Sequence, residues 1–335
     1  AKYGEAFFMD WKKGCLGLAL ACCFPYVVTL GWTGSIGGRE GVLEPARPGL
    51  LSGKQVILDR FEESPGGGEL PGIPGEREPE ALDVEEYLVG VVALQMPADY
   101  EPEALKAQAI IARTYIYGQM GGQDSIQESA LDMDYLEQAQ MERLWGTRDF
   151  MEFYRKVEGA VADTNSLVME YQGECIEPWF SRCSAGKTRK GDERHPYFAS
   201  VDCPKDLEAE GYLQMEEWTK EEFSRKISQI PGERPVSADQ VPETIQIGER
   251  DEAGYVTLVQ IGNYQFTGDE IRYALGLNSS HFRLEDYEGN IRAVVKGIGH
   301  GYGMSQHDAN RKAKDGWSAE EILSYFYENI LLVSE

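Results

Sequence analysis

The sequence predicts an α+β protein, and three observations carry that prediction. Apolar residues recur at helical spacing over 83–116. Short runs of alternating apolar and polar residues, divided by turn residues, fill much of 166–298. Helical and strand-like stretches follow one another without a regular β-α-β rhythm, which argues against a parallel α/β sheet. A hydrophobic content of 42 % supports a packed core. The 57 acidic and 32 basic residues give a net charge of -25, a field that disfavours nucleic acid as the main partner.

The N-terminal region reads as separate from the globular part. Lys12 and Lys13 precede an uncharged run from Gly14 to Trp32, close to the ~20 residues a membrane helix needs. Basic residues on its N-terminal side favour an N-in, C-out orientation, and Trp11 and Trp32 sit where interfacial aromatics are expected. A cleaved signal peptide is the competing reading, but Thr33-Gly34-Ser35 fits an Ala-x-Ala cleavage site poorly. The expected organisation is a cytoplasmic tail and single-pass anchor over 1–33, an extracytoplasmic linker over 34–80 and one folded domain over 81–335. Within the linker only Gln55 to Leu58 reads as a strand, and Glu62 to Glu80 is rich in Gly, Pro and Glu.

Asp83 opens the first helix, with Glu86 three positions on as a capping-box partner. Val84, Tyr87, Leu88, Val91 and Val92 form one apolar stripe, and Gln95 is the next position along it. A polar side chain on a core-facing stripe needs a partner or a purpose. Pro97 ends this helix. The second starts near Pro102, with Glu101 and Glu103 at its positive end and Leu105, Ala109, Ala112 and Ile116 as its buried face. Lys106 and Arg113 share a different face. A solvated basic edge is the plain reading of such a pair, and a cationic site on a rigid support is the functional one.

Residues 127–164 read as helical. From Ser166 onward strands and tight turns take over: a hairpin over 168–176, a strand running into a small-residue turn at 180–189, and a second hairpin over 244–262 around Asp251 to Gly254. A short helix follows over 267–275, then a strand over 291–298, and one or two helices over 309–327. The strand at 291–298 runs into GHGYGMSQH, which sets His300 between glycines; metal ligation, proton movement or a hydrogen-bonded turn histidine all fit that pattern. Cys15, Cys22 and Cys23 lie in the apolar run, while Cys175, Cys183 and Cys203 lie beyond it. Cys183 and Cys203 are the expected disulfide in an exported domain. A zinc set of these two with His195 is the competing reading, weakened by the lack of any CxxC, and neither metal nor cofactor is expected.

Taken together, Glu86-Tyr-Leu-Val-Gly-Val-Val, ALQMP, EALKAQAIIARTY, CSAGKTR, YFASVDCP and GHGYGMSQHDAN, in that order from about Asp83 to Tyr327, resemble the stage II sporulation protein D family, also described as the SpoIID/LytB amidase-enhancer domain. The resemblance implies a protein that acts on peptidoglycan, specifically on glycan strands stripped of stem peptides, beside a cell-wall amidase and other membrane-associated sporulation proteins. It also implies a lytic transglycosylase whose catalytic acid is the glutamate of Glu-Met-Pro. Here that position is Gln95, in Gln95-Met96-Pro97. The family reaction uses one carboxylate first to protonate the glycosidic oxygen and then to accept the C6 hydroxyl proton as the 1,6-anhydro ring closes. Glutamine can hydrogen-bond to sugar but cannot carry that proton.

Three functions stay open on this basis. One is a glycan-strand-binding protein of weakened catalysis. Another is an active lytic transglycosylase that draws its proton from Glu86, Glu101 or Glu103. The last is a membrane-tethered scaffold without a glycan site. Gln95, Lys106, Arg113, Lys187 and His300 are expected to face one groove, with Lys106 and Arg113 holding the lactyl carboxylate exposed by amidase action. Tyr115 and Tyr302 are candidates for stacking on sugar.

Overall fold

The computed structural model describes residues 51–59 and 80–335. The expected anchor and most of the expected linker lie outside them. Among the described residues no helix is long and apolar enough to cross a membrane. The α+β expectation holds. The stretch 81–335, read from sequence as one domain, contains parts of two compact units. One comprises the described residues through Met169 with Glu174–Ile176 and Leu332–Glu335; the other comprises Glu170–Gly173 and Glu177–Leu331.

In the first unit, β1 (Gln55–Ile57) pairs antiparallel with β2 (Ala81–Asp83). Asp83 then caps α1 (Val84–Gln95) by accepting from the Glu85 N–H at 2.9 Å, and its carboxylate also takes the Ser52 and Gly53 N–H groups. The expected stripe of Val84, Tyr87, Leu88, Val91 and Val92 is wholly buried. Met96 takes extended backbone and α1 stops. The second helix, α2 (Pro102–Met120), has proline at its start and a left-handed glycine, Gly121, at its end. Its expected buried face of Leu105, Ala109, Ala112 and Ile116 is borne out.

The helix expected over 127–164 is shorter. Ser125–Gln127 forms β3, parallel to β1, and α3 runs Gln138–Asp163. The boundary is set by a capping box in which the Glu137 N–H donates to Gln140 Oε1 at 2.7 Å. Gly146 then bends the helix, with φ at 75°. The loop before α3 passes so close to α1 that a Cβ on Gly90 would stand 2.4 Å from the Leu136 carbonyl oxygen. β4 (Leu167–Tyr171) and β5 (Glu174–Cys175) form the first hairpin through Gln172 and Gly173, both at positive φ.

The second unit carries β6 (Phe180–Ser181), β7 (Leu213–Trp218), α4 (Lys220–Ser228), β8 (Ile245–Arg250), β9 (Val256–Ile261), β10 (Tyr264–Phe266), α5 (Gly268–Leu275), β11 (Phe282–Tyr287) and β12 (Asn290–Lys296). The predicted hairpin over 244–262 is β8 and β9. Two antiparallel sheets, β10-β9-β8 and β11-β12-β7, share one core with α4 and α5, in which Phe223, Ile227, Val259, Phe266, Ile271 and Phe282 are buried. β13 (Met304–Ser305) lies parallel to β6 and leads into α6 (Gln306–Lys314) and α7 (Ala319–Phe326). The chain ends in β14 (Leu331–Ser334), on the far side of β4 from β5.

Candidate functional site

The first unit offers the junction of α1 and α2. Gln95 is the last residue of α1 and is half-buried. The turn behind it is closed by Tyr100 N–H donating to the Pro97 carbonyl at 3.1 Å. The Gln95 Oε1 accepts from Gln108 Nε2 at 2.8 Å, and Gln108 is completely buried on α2. The polar position on the apolar stripe therefore has its partner.

Lys106 projects from the first turns of α2, where its Nζ meets Glu103 at 2.8 Å and Asp163 at 3.1 Å. The Glu103 hydrogen bond, and then that of Asp163, raise its pKa against burial, so it is held as a cation whose charge two carboxylates already share. Arg113 corrects the sequence reading. It lies in the core with Glu85, both fully buried. Its Nε donates to Glu85 Oε1 at 2.7 Å and its Nη2 to Oε2 at 2.6 Å, a bidentate pair. The remaining donors reach the carbonyls of Val161 and Leu167. A side chain so enclosed is a brace between α1, α2 and the end of α3, not a surface cation able to hold a lactyl carboxylate.

Lys187 and His300 belong to the second unit. Lys187 is partly exposed in the turn after Ser184. His300 sits in the glycine-rich loop that follows β12. Its Nδ1 accepts from the Tyr302 N–H at 3.0 Å, and its ring packs edge-on against Trp179 at 5.5 Å. Burial, with the charges of Arg272 and Arg189, pushes its pKa down to about 3, so the imidazole is neutral at any physiological pH. Arg189 holds this loop in place. Its N–H donates to the Gly301 carbonyl at 2.8 Å, its guanidinium lies over Tyr302 at 4.4 Å and Tyr255 at 5.0 Å, and its Nε donates to Asp251 at 2.6 Å. Glycine is required here: a Cβ on Gly303, at φ 66°, would stand 1.8 Å from the Trp179 carbonyl oxygen.

The disulfide expected between Cys183 and Cys203 does not form. Both are free, buried thiols: Cys183 packs with Ala209, Ile298 and Tyr212, and the Cys203 Sγ donates to the Val201 carbonyl. Burial pushes the Cys183 thiol up to about 12 and raises that of Cys203 as well. His195 engages Asp192 and Glu177. Among the described residues no group of three or more His, Cys, Asp or Glu could hold a metal ion.

Asp206 gives the sequence no signal and is central to this unit. It is fully buried, and it joins the CSAGK turn to the GMSQ motif by accepting from Ser184 N–H, Ser184 Oγ and Ser305 Oγ at 2.6–2.7 Å. Burial outweighs these donors and lifts its pKa to about 7. The folded state therefore holds a proton that the unfolded chain releases near pH ~3.9. This stability is fully present below that value and is lost as pH rises through about 7, at about 1.4 kcal/mol for each unit of pKa difference. Asp206→Asn, which stays neutral, is expected to lose less melting temperature between pH 4 and pH 8 than the native protein, as thermal melts across that range will show.

Gln108 and Glu85 were also missed, although Gln108 falls three positions after Leu105 on the buried stripe of α2. A model of the family described as "Stage II sporulation protein" matches residues 75–171. The chain is similar to "Stage II sporulation protein D" of Bacillus amyloliquefaciens, 32% identical over 264 residues, which is 75% of this chain and 74% of that protein. The protein of the same name from Bacillus subtilis (strain 168) is 32% identical over 261 residues, with 74% of each chain covered. "Amidase enhancer" of Bacillus subtilis (strain 168) is 23% identical over 298 residues, 74% of this chain and 40% of that protein. Aligned at this identity over about three quarters of both chains, the chain belongs to the stage II sporulation protein D family.

Proposed function

We propose that the protein binds denuded glycan strands of peptidoglycan on the outer side of the cell membrane, tethered through residues 14–32. It works there beside a cell-wall amidase in sporulation or wall remodelling, with its own cleaving power weakened. The observation that carries this reading is Gln95: it stands at the family's Glu-Met-Pro position and is held by the buried Gln108. An amide there can bind sugar oxygens and cannot deliver a proton. Family membership and the similarity to a protein named "Amidase enhancer" support the cell-wall setting. In this reading Lys106 is the further ligand-facing candidate of the first unit, where Arg113 supports the fold, and Lys187 and the neutral His300 are the candidates of the second. The binding needs neither metal nor cofactor.

The purified protein is incubated with amidase-treated glycan strands. Retention is read by pull-down and 1,6-anhydro-muramyl products by mass spectrometry. Retention without product is the expected result. Abundant anhydro product would overturn weakened catalysis and point to Glu86, Glu101 or Glu103 as the acid; absence of retention would favour a scaffold.

A further inference from the structure

A strand at the rim of a sheet leaves every second backbone N–H and C=O without a ladder partner. β7 is such a strand. It pairs with β12 on one side, and among the described residues no strand pairs with it on the other. The register shows which of its groups face outward. The Lys296 N–H donates to the His281 carbonyl at 3.0 Å, toward β11. The next residue, Gly297, donates to the Tyr212 carbonyl at 2.8 Å, toward β7. Ladder bonds alternate along a strand, so Gln214, Glu216 and Trp218 turn theirs toward β12. The N–H and C=O of Leu213, Met215 and Glu217 point away from the sheet.

Rims of this kind are ordinarily blunted by lysine, proline or a bulge. β7 has none of these: it reads LQMEEW, and its register with β12 is unbroken. Instead Leu213 and Met215 are 52% and 62% exposed, on the sheet face opposite the buried Trp218. Both stand beside open backbone groups. Next to them, the exposed Glu216 and Glu217 add negative charge in a chain whose net charge is -25. Asn290 Nδ2 donates to the Glu217 carboxylate at 2.7 Å. Open ladder groups fit an extended strand, and exposed apolar side chains fit apolar residues at its alternate positions. The carboxylates attract cations, and the like charge of a second copy opposes self-pairing on this edge.

We propose that the β7 edge is a docking site for an extended, basic strand of a partner protein. The strand adds antiparallel, continuing the antiparallel ladder of β11, β12 and β7. An apolar residue then faces Met215 and a lysine or arginine faces Glu217. This docking rests on the sheet edge alone and is independent of the glycan reading above.

The probe is the peptide acetyl-Lys-Arg-Val-Thr-Ile-amide, whose residues fall in turn opposite Glu217, Glu216, Met215, Gln214 and Leu213. Hydrogen exchange of the full chain, read by mass spectrometry, is expected to slow over 212–218 when the probe is added. The charge-reversed acetyl-Glu-Glu-Val-Thr-Ile-amide is expected to leave that exchange unchanged. Methylating the valine nitrogen of the probe removes the donor to the Met215 carbonyl and is expected to weaken binding about 3- to 10-fold. Met215→Pro takes away the outward N–H, at a position where an edge strand tolerates proline, and is expected to weaken binding at least as far. The methylated probe decides on the native protein even where Met215→Pro does not fold. Unchanged exchange over 212–218 with the basic probe would overturn the proposal, as would equal slowing by the charge-reversed probe or undiminished binding of the methylated one. Protection of 212–218 that appears on raising the protein concentration alone would assign the edge to a second copy and overturn it too.

Discussion

Gln95→Glu is expected to raise the release of 1,6-anhydro-muramyl products from denuded strands by about 10²–10⁴-fold, the range general acid catalysis typically contributes. The change exchanges an NH2 for an oxygen of similar size, so the helix end and the turn at Pro97 have no steric reason to move. It also introduces the one capacity that the amide lacks. Two influences then act on the new carboxyl group. Partial burial raises its pKa, and the Gln108 donor, now facing a carboxylate, lowers it. The protonated form starts the reaction, so product formation is expected to fall on the alkaline side of that pKa. Adding Gln108→Met to Gln95→Glu removes the donor to the charged form and is expected to move this falling limb to higher pH. Product yield by mass spectrometry across pH, for the single and double variants, reads both effects. A silent Gln95→Glu protein that still retains strands would show that further groups of the site are unfit for cleavage.

What could be read from sequence was whatever repeats locally. The stripe Val84, Tyr87, Leu88, Val91 and Val92 names its own burial because helical spacing places it on one face. The hairpin around Asp251 to Gly254 is readable because turn residues punctuate alternating strands. The start of α3 was not, since Glu137 and Gln140 form its capping box within a stretch of mixed polar and apolar residues, 127–141, that carries no break. Long-range pairing was the larger blind spot. Arg113 follows Glu85 by 28 positions, and Asp206 meets Ser305 from 99 positions away. No local period encodes such partners, so a buried, paired arginine reads like a surface cation. Gln95 was conspicuous because its polarity broke a pattern; Gln108 broke a similar one between two alanines, and only the fold shows that the two belong together.

Arg113→Ala, or Glu85→Ala, is expected to cost about 3–5 kcal/mol of stability, because each leaves its former partner as a buried, uncompensated charge. Both side chains have no solvent exposure, so water cannot take the place of the missing group. Arg113→Lys should fare little better: an ammonium cannot reproduce two parallel hydrogen bonds to one carboxylate while also serving two carbonyls. The double replacement Glu85→Leu with Arg113→Met removes both charges at similar volume and is expected to recover much of the loss, since buried ion pairs often exceed hydrophobic substitutes little or not at all. Urea unfolding of the four variants measures this directly. A surface, ligand-holding arginine predicts the opposite pattern, with strand retention lost at an unchanged unfolding midpoint. The pair also bears on the site through geometry. Glu85–Arg113 and Gln95–Gln108 are two rungs between the same helices, α1 and α2, one ionic and one neutral. Loss of the ionic rung frees α1 to shift against α2, so retention that does survive in the single variants is expected to track the folded fraction and to weaken further where the Gln95–Gln108 contact is strained.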